Sequence, residues 1–281
     1  MACFNPIHAF QSVNPNEEGK HPLFFRPPPK LKNSYLIPCG KCLGCKASLS
    51  LMWSIRCYHE SLTYKQNSFL TLTYNDKSLP KNNSLQKIDL QKFFKRLRKT
   101  YKFRYFACGE YGDLSKRPHY HMVLFGRDFL EGSEQINEKL YINHHVSKVW
   151  GLGHVSIGQV TPESISYVTG YVSKKIGASA PDGLEPEFRV MSRRSGIGKE
   201  FAFKHLDDLT RTGTAVMGGK EYPIPLQYFR WLETELADVK EARRQAYSEI
   251  PLDVRLEAIN NLKAKERNAL SPNQPKKRAS L

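Results

Sequence analysis

The sequence lacks any long hydrophobic run, and no apolar stretch approaches the roughly 18 residues that a membrane-spanning helix needs. Its first residues show no basic segment followed by an apolar one, as a secretory signal peptide would. We therefore expect an intracellular protein with no membrane partner. Cysteine is also sparse, at six residues, and in a reducing compartment these are expected to bind metal or to be buried rather than to form disulfides.

Acidic residues are few relative to basic ones. The 281-residue chain has 27 Asp and Glu against 43 Lys and Arg, a formal net charge of +16. This excess predicts a polyanionic partner, with nucleic acid as the first candidate, although a basic protein that is merely soluble remains the alternative. A hydrophobic fraction of 40% is enough for a core in one or two domains.

The periodicity of apolar residues predicts an α+β protein. Helices are expected over 46–63, from an N-cap at Asp89 to Thr100, within 133–150, from a cap at Thr161 to Gly177, and over 226–247. Strands are expected over 69–73, 103–110, 119–125 and 154–160, with a turn over 111–116. Through residue 177 this is the split βαβ order of a ferredoxin-like or RRM-like antiparallel sheet with flanking helices.

Three regions follow from this pattern. Residues 1–63 form a cysteine-rich N-terminal region that ends in a helix, and residues 64–178 form the core. Residues 179–281 form a basic, partly helical C-terminal region, whose tail around 275–278 is expected to be disordered.

Two histidines lie two positions apart on one predicted strand. Side chains at i and i+2 share a face, so His119 and His121 project together, and a short hairpin brings Glu110 beside them. Two imidazoles and a carboxylate leave positions open on a divalent ion, where a phosphate oxygen can bind. The alternative is a pair of ordinary histidines in a sheet.

Two tyrosines lie four positions apart on the last helix of this core. Tyr167 and Tyr171 share one helix face, Lys174 continues the stripe and Lys175 lies four residues after Tyr171. A tyrosine that attacks a phosphodiester conserves the bond energy in a phosphotyrosine ester, and an ammonium group stabilises the anionic charge. The alternative is an aromatic stripe that faces the core.

The N-terminal cysteines have the spacing of metal ligands. Cys39, Cys42 and Cys45 form a C-x₂-C-x₂-C pattern, and Cys3 can complete a four-thiolate site for structural Zn²⁺. Reduced thiols in a loop, or an iron–sulfur site, are the alternatives. The remaining two cysteines, Cys57 and Cys108, fall at positions expected to be buried.

Other basic residues are candidates for contact with DNA. Arg193 and Arg194 are expected either to contact the phosphate backbone or to lie on a solvated face. Single-stranded DNA is expected to lie over an open face of the sheet, where aromatic rings stack on bases.

These motifs together resemble those of a known family. The segment Arg117-Pro-His119-Tyr-His121-Met-Val-Leu-Phe-Gly126 resembles the two-histidine ("HUH") motif of rolling-circle replication initiators. Residues 69–74 resemble their upstream motif, and residues 167–175 resemble the two-tyrosine motif of the larger HUH class. The cysteine pattern is similar to that of the gokushovirus branch of microvirus initiators, and the resemblance covers about residues 1–178.

The resemblance implies a mechanism and a set of partners. One tyrosine attacks the viral-strand origin, single-stranded or in supercoiled duplex, stays joined to the 5′ phosphate and leaves a 3′-OH; the second later cleaves the regenerated origin so that the strand closes into a circle. His119, His121 and Glu110 are implied to hold Mg²⁺ or Mn²⁺. A host helicase and DNA polymerase in the cytoplasm of the bacterial host are implied partners.

Two other functions fit part of the pattern. An HUH transposase or relaxase would share the histidine motif, although the spacing of the two tyrosines argues against it. A non-catalytic, zinc-dependent nucleic-acid-binding protein would have the same charge and cysteine cluster, with histidines that are only structural.

Overall fold

The structure is a computed structural model that describes residues 3–19, 21–28, 30–112, 116–175 and 183–270. Within this range, the side chains of 31–33 and 171–175 and of five residues in the C-terminal helices (248, 252, 265, 269 and 270) lie outside the description. The chain divides into two compact units, one formed by residues 1–49 and 244–281 and the other by residues 50–243. The three regions that we expect to be functionally distinct stay predictions.

The first unit contains a small antiparallel sheet and the C-terminal helices. Strand β1 (Ile7–Ser12) lies between β2 (Leu23–Phe24) and β3 (Leu31–Ile37). Helix α1 (Leu43–Leu62) begins in this unit and ends in the second one.

The second unit contains the large sheet and the helices that cover it. Its strands are β4 (Asn67–Tyr74), β5 (Arg104–Tyr111), β6 (Pro118–Phe125), β7 (Ser133–Gln135), β8 (Leu140–Asn143), β9 (Gly153–Gly158), β10 (Phe188–Met191), β11 (Thr214–Met217) and β12 (Lys220–Pro223). The helices that follow α1 along the chain are α2 (Lys87–Leu97), α3 (His144–Trp150), α4 (Pro162–Lys175), α5 (Lys199–Lys204), α6 (Leu206–Thr212), α7 (Leu226–Trp231), α8 (Ala237–Glu249) and α9 (Leu252–Leu270). Single 3₁₀ turns occur at Asp76–Ser78 and Lys81–Asn83.

The large sheet confirms the predicted fold class. Its described strands lie in the order β10-β5-β6-β4-β9-β8-β7, and every pairing is antiparallel. The inner four, β5-β6-β4-β9, are the strands of the split βαβ unit, with β10 added on one edge and the β7–β8 hairpin on the other. No helix in the described part of the chain is long and apolar enough to cross a bilayer.

The two faces of this sheet have different cores. On one face, α2 and α3 pack against the alternating residues that include Leu72, Tyr120 and Met122. On the other face, which carries the histidines, α1 and α4 pack against Phe106 and Val123. The expectation of a sheet with an open face for DNA is therefore wrong, since apolar side chains on both faces recruit helices.

Two predicted helices differ from the observed ones. Asp89 is not an N-cap, because α2 begins at Lys87 and the Asp89 carboxylate accepts a hydrogen bond of 2.9 Å from the Tyr74 hydroxyl. The predicted helix within 133–150 is only half right. Its first part forms the β7–β8 hairpin, and the Asn143 side chain then accepts a bond from the Val146 amide to cap α3.

The long helix expected over 226–247 is also interrupted. It divides into α7 and α8, with non-helical backbone at Leu232. Leu232 and Leu236 are both fully buried in the cluster beneath these helices. Burial of these two leucines therefore determines where the chain leaves the helical path. The expected helix end at Gly177 and the basic tail at 275–278 lie outside the described residues.

Candidate metal centre and tyrosine helix

Three neighbouring strands bring the predicted ligands to one face of the large sheet. In the β5–β6 pairing, Glu110 lies directly opposite His119, and Cys108 lies opposite His121. The imidazole rings of His119 and His121 have centroids 6.3 Å apart. Tyr120 points to the opposite face and is fully buried, as alternation along a strand predicts.

Each imidazole is oriented by a threonine on β4. The Thr71 hydroxyl lies 2.9 Å from Nδ1 of His121, and the Thr73 hydroxyl lies 3.1 Å from Nδ1 of His119. When Nδ1 donates to such a partner, Nε2 is left free to bind a metal, which is the usual arrangement of metal-bound histidine. The two Thr–His pairs therefore favour metal binding through Nε2.

Glu110 and His121 form the inner part of the site. Nε2 of His121 lies 2.9 Å from Oε1 of Glu110, and both side chains are buried. The second carboxylate oxygen, Oε2, is also buried and has no hydrogen-bond partner. A buried carboxylate oxygen without a partner is unfavourable, and a divalent cation next to an imidazole nitrogen would satisfy it. The residues at this position therefore fit a divalent metal.

His119 is the more exposed member of the set. Burial, followed by the neighbouring His121, holds the pKa of His119 below its ordinary value, with Glu110 opposing the shift. The imidazole is thus neutral near pH 7, as a metal ligand must be. In the described part of the chain, only the cysteine cluster below brings three ligand atoms within 4.8 Å of one another. The structure therefore joins Glu110 to His121 and leaves His119 as a separate ligand on the same face.

The tyrosine helix passes over the histidines. Thr161 caps α4 as expected, because its hydroxyl accepts a bond from the Ser164 amide. The ring of Tyr167 meets that of His121 edge to face, with centroids 5.2 Å apart and an interplanar angle of 87°. Tyr167 also contacts Phe69 on β4 at 6.2 Å. The structure therefore brings one predicted tyrosine to the histidine pair.

The rest of the tyrosine motif lies on the same helix. The backbone of Tyr171, Lys174 and Lys175 belongs to α4, which ends at Lys175, whereas their side chains lie outside the described residues. Their roles stay predictions.

Arg193 and Arg194 lie away from the histidines. Both are exposed and follow β10, where Ser192 bonds to Tyr105 near the start of β5. Five residues along β5 separate Tyr105 from Glu110, about 16 Å of strand. Contact with DNA through these arginines would therefore involve nucleotides remote from the site, and it stays a prediction.

The four N-terminal cysteines form a compact cluster. The sulfurs of Cys3, Cys39, Cys42 and Cys45 all lie within 4.8 Å of one another. Backbone amides point at them, for example from Phe4 to Cys42 Sγ at 3.3 Å and from Cys39 to Cys3 Sγ at 3.3 Å. Four thiolates with amide hydrogen bonds are a donor set that suits a tetrahedral metal ion. The cluster can therefore hold a metal.

The thiols of this cluster differ in acidity. Burial raises the pKa of Cys42, but amide hydrogen bonds from Cys45 and Phe4 outweigh it and lower that pKa to about 6. Burial instead raises the pKa of Cys45 to about 12. Cys42 is thus the thiolate ready at neutral pH, while Cys45 would lose its proton when metal binds. All six cysteines are free, and Cys57 and Cys108 are buried as predicted.

Thr71 and Thr73 were not predicted as part of the site. Their alternation on β4 places them on one face, but only the register of β4 with β6 sets them opposite His121 and His119. A polar Thr-x-Thr pair within an otherwise apolar strand is the signal that could have indicated them.

Fold and site together define a class of protein, namely split βαβ proteins with a two-histidine centre beside a tyrosine-bearing helix. Comparison with known proteins agrees. The model of the replication-associated protein ORF2 family matches residues 67–176, which include β4, the histidines and the tyrosine helix. No solved structure matches the chain significantly.

Individual phage proteins are similar over most of the chain. Identity to replication-associated protein VP4 of Bdellovibrio phage phiMH2K is 33% over 215 residues, covering 70% of this chain and 68% of that protein. Identity to replication-associated protein ORF2 of Spiroplasma virus 4 is 31%, covering 74% and 73%. For ORF4 of Chlamydia phage 1 it is 29%, covering 72% and 55%. The chain belongs to this family of phage replication-associated proteins, and the predicted resemblance to microvirus initiators is confirmed.

Proposed function

We propose that this protein starts rolling-circle replication of a small single-stranded DNA phage by nicking the viral origin and later rejoining the strand. The observation that carries the proposal is the contact of Tyr167 with His121, which sets a phenol beside a buried metal-ready centre. The replication names of the relatives favour this function over a transposase or relaxase.

The reaction proposed for the tyrosines is a phosphoryl transfer. The phenol oxygen of Tyr167 or Tyr171 bonds to phosphorus while the bond from phosphorus to the 3′ oxygen breaks. The phenol loses its proton and the 3′ oxygen gains one, so the products are a 5′-phosphotyrosine and a free 3′-OH. In the second round the other tyrosine repeats the attack, and the released 3′-OH displaces the first tyrosine to close the circle. Lys174 stabilises negative charge on the phosphate.

Two metal sites complete the proposal. Mg²⁺ or Mn²⁺ held by His119, His121 and Glu110 would supply Lewis-acid polarisation of a phosphodiester oxygen. The cysteine cluster takes Zn²⁺ in a structural role.

The proposed partners follow from the same reaction. Origin DNA, single-stranded or supercoiled, is the substrate, and the net charge of +16 suits it. Lys175, Arg193 and Arg194 contact its backbone. Host helicase and polymerase extend the 3′-OH in the cytoplasm of the bacterial host. Residues 64–178 are the endonuclease region, flanked by the zinc-binding and basic regions.

A covalent-adduct assay tests the proposal. Single-stranded oligonucleotides that tile the viral strand are incubated with the protein and Mn²⁺, and products are separated on a denaturing gel. We expect an adduct on the oligonucleotide that carries the origin. It should persist in Tyr167→Phe and Tyr171→Phe and disappear in the double variant, because either phenol can attack.

Tyr247→Phe is the matched control, since Tyr247 is half-exposed on α8 and should not affect adduct formation. Binding of the oligonucleotides without any adduct, with Mn²⁺ and Mg²⁺ alike, would contradict the proposal and leave the non-catalytic DNA-binding function.

A further inference from the structure

Arg189 lies in the same row of the sheet as His121. In the β10–β5 pairing, Arg189 is directly opposite Cys108, and in the β5–β6 pairing Cys108 is opposite His121. Directly opposite residues point to the same face. Two strand spacings of about 4.8 Å place the Arg189 Cα about 10 Å from that of His121. Arg189 therefore projects on the histidine face from the edge strand.

The guanidinium of Arg189 has no acidic partner. It lies 5.4 Å from the ring of Trp53, and its Nη1 is buried without a hydrogen-bond partner. No described carboxylate forms an ion pair with it. The contrast is Arg104, which pairs with Glu60 at 2.6 Å on the same side of the sheet.

A second arginine shares the same indole. The Arg56 guanidinium lies 4.0 Å from the Trp53 ring, and its Nε donates to the Ile197 carbonyl. Burial lowers the pKa of Arg189, and it lowers that of Arg56, to which Arg189 adds a further lowering. Two guanidiniums beside one indole thus repel each other, and the one without an acceptor is on the histidine face. An anion bound there would remove both penalties.

We propose that Arg189 binds a phosphodiester oxygen of the single-stranded DNA that crosses the histidine face, next to the phosphodiester that is cut. The inference rests on the proposed function, which supplies this strand. Trp53 holds the guanidinium in place from below, and because its ring carries guanidiniums it is not a platform for a base. Arg189 is thus a substrate-binding residue that fixes the strand relative to Tyr167.

The test is DNA affinity as a function of salt. Fluorescence anisotropy measures binding of the origin-strand oligonucleotide, without divalent ions, by the full chain and by Arg189→Gln. We expect a loss of about 10-fold or more, as for one hydrogen-bonded charge, and a salt slope smaller by about 0.7, as for one phosphate contact on a single strand. Arg189→Met, which keeps the apolar stem against Trp53, should show the same changes, and Arg189→Lys should restore the slope.

Arg230→Gln is the matched control, because Arg230 is exposed on α7. Thermal unfolding of each variant verifies that it is folded, and Arg189→Met serves if Arg189→Gln is not. An unchanged affinity and salt slope in a folded Arg189 variant would overturn the inference, even if the wild type forms the covalent adduct. Conversely, a wild type that forms no adduct but loses binding in the Arg189 variants would contradict the proposed function and support this contact.

Discussion

At the scale of single residues, a hydroxyl is the partner that lets each histidine exchange a proton for a metal. With a proton on Nε2, His121 donates to Glu110, and its Nδ1 accepts from the Thr71 hydroxyl. With a metal on Nε2, Nδ1 carries the proton and donates to the same hydroxyl. A carbonyl or carboxylate at position 71 could serve only the second state. Thr73 stands in the same relation to His119.

Removal of these hydroxyls should weaken metal binding while the sheet stays intact. Thr71→Val and Thr73→Val keep the shape of the side chain and remove the bond to Nδ1. We expect Mn²⁺ affinity to fall by about 10- to 100-fold in each, as for the loss of a hydrogen-bond partner of a ligating histidine. Isothermal titration calorimetry with Mn²⁺ measures the change.

Thr71→Ser and Thr73→Ser retain the hydroxyl and serve as controls that should bind Mn²⁺ nearly as the wild type does. Equal affinity in the valine and serine variants would mean that the threonines do not orient the ligands.

Sequence alone was sufficient for the ligands and not for the residues that orient them. The alternation of β6 predicts that His119 and His121 share a face, and the hairpin predicts Glu110 beside them. The pairing of β4 with β6 spans about fifty residues, and local patterns do not contain the register between strands so far apart. The roles of the two threonines and of Arg189 depend on such registers.

At the scale of elements, β9 crosses very close to the end of β4. Gly153 lies opposite Tyr74, and its φ of +153° is in the region that favours glycine. A Cβ at this position would lie 2.2 Å from the Thr73 carbonyl oxygen and 2.4 Å from the Asn75 amide nitrogen. The backbone that carries Thr73, and through it His119, therefore depends on a residue without a side chain.

Gly153→Ala should destabilise the sheet next to the histidine site. Backbone strain and a clash that only the backbone can relieve together predict a loss of roughly 2–5 kcal/mol in the free energy of unfolding. Urea unfolding followed by circular dichroism measures it.

Gly132→Ala provides the matched control, because Gly132 also has a positive φ, +68°, but a Cβ added there would have no other atom within 4 Å. It should cost about 1–2 kcal/mol from strain alone. A Gly153→Ala variant no less stable than Gly132→Ala would show that the strands separate without cost.

The elements that the sequence predicted correctly are those with a strong local period. The strands β4, β5 and β6 and the capped helix α4 match their predictions closely because alternation or a cap marks them. The β7–β8 hairpin was missed because its strands are short and partly exposed. Asp89 was misassigned because the Tyr74 hydroxyl, fifteen residues away, binds the carboxylate that would otherwise cap α2.

At the scale of the whole molecule, a buried histidine makes stability depend on pH. His59 is 1% exposed, and its ring nitrogens lie 2.9 Å from the Tyr228 hydroxyl and the Val216 carbonyl. Burial lowers the pKa of His59 to about 4, against the effect of the Val216 carbonyl, with a small contribution from His205 in the same direction as burial.

Acid should therefore destabilise the fold through His59. Below pH 6.5 the unfolded chain binds a proton at this residue, whereas the folded chain does so only near pH 4. The free energy of unfolding should thus fall by roughly 3 kcal/mol as the pH drops through that window. Urea unfolding at several pH values measures the slope.

His59→Gln, which does not titrate, should remove this part of the slope, and His154→Gln, at an exposed position, should retain it. A wild-type slope in His59→Gln would assign the effect to other groups.

Metal removal should affect the first unit of the chain. The cysteine cluster lies beside Asn5 and Leu43, both of which bond to the Glu266 carboxylate on α9, at 2.9 and 3.2 Å. A chelator, or Cys42→Ser, should abolish bound zinc and increase proteolysis within residues 1–49, because few apolar contacts hold this segment. Elemental analysis and limited proteolysis measure both changes.

Cys57→Ala, at a buried cysteine outside the cluster, is the control and should retain the zinc. Full zinc content in Cys42→Ser would exclude the four-thiolate site.

The position of β4 in the middle of the sheet has a consequence for synthesis. Its neighbours β6 and β9 begin 51 and 86 residues after its own first residue, so β4 leaves the ribosome with both edges unpaired. Non-local pairing of this kind is slow, and unpaired strands are prone to aggregate during that interval. Nascent chains stalled before residue 158 should therefore bind chaperones, whereas chains released beyond it can close the sheet and leave them.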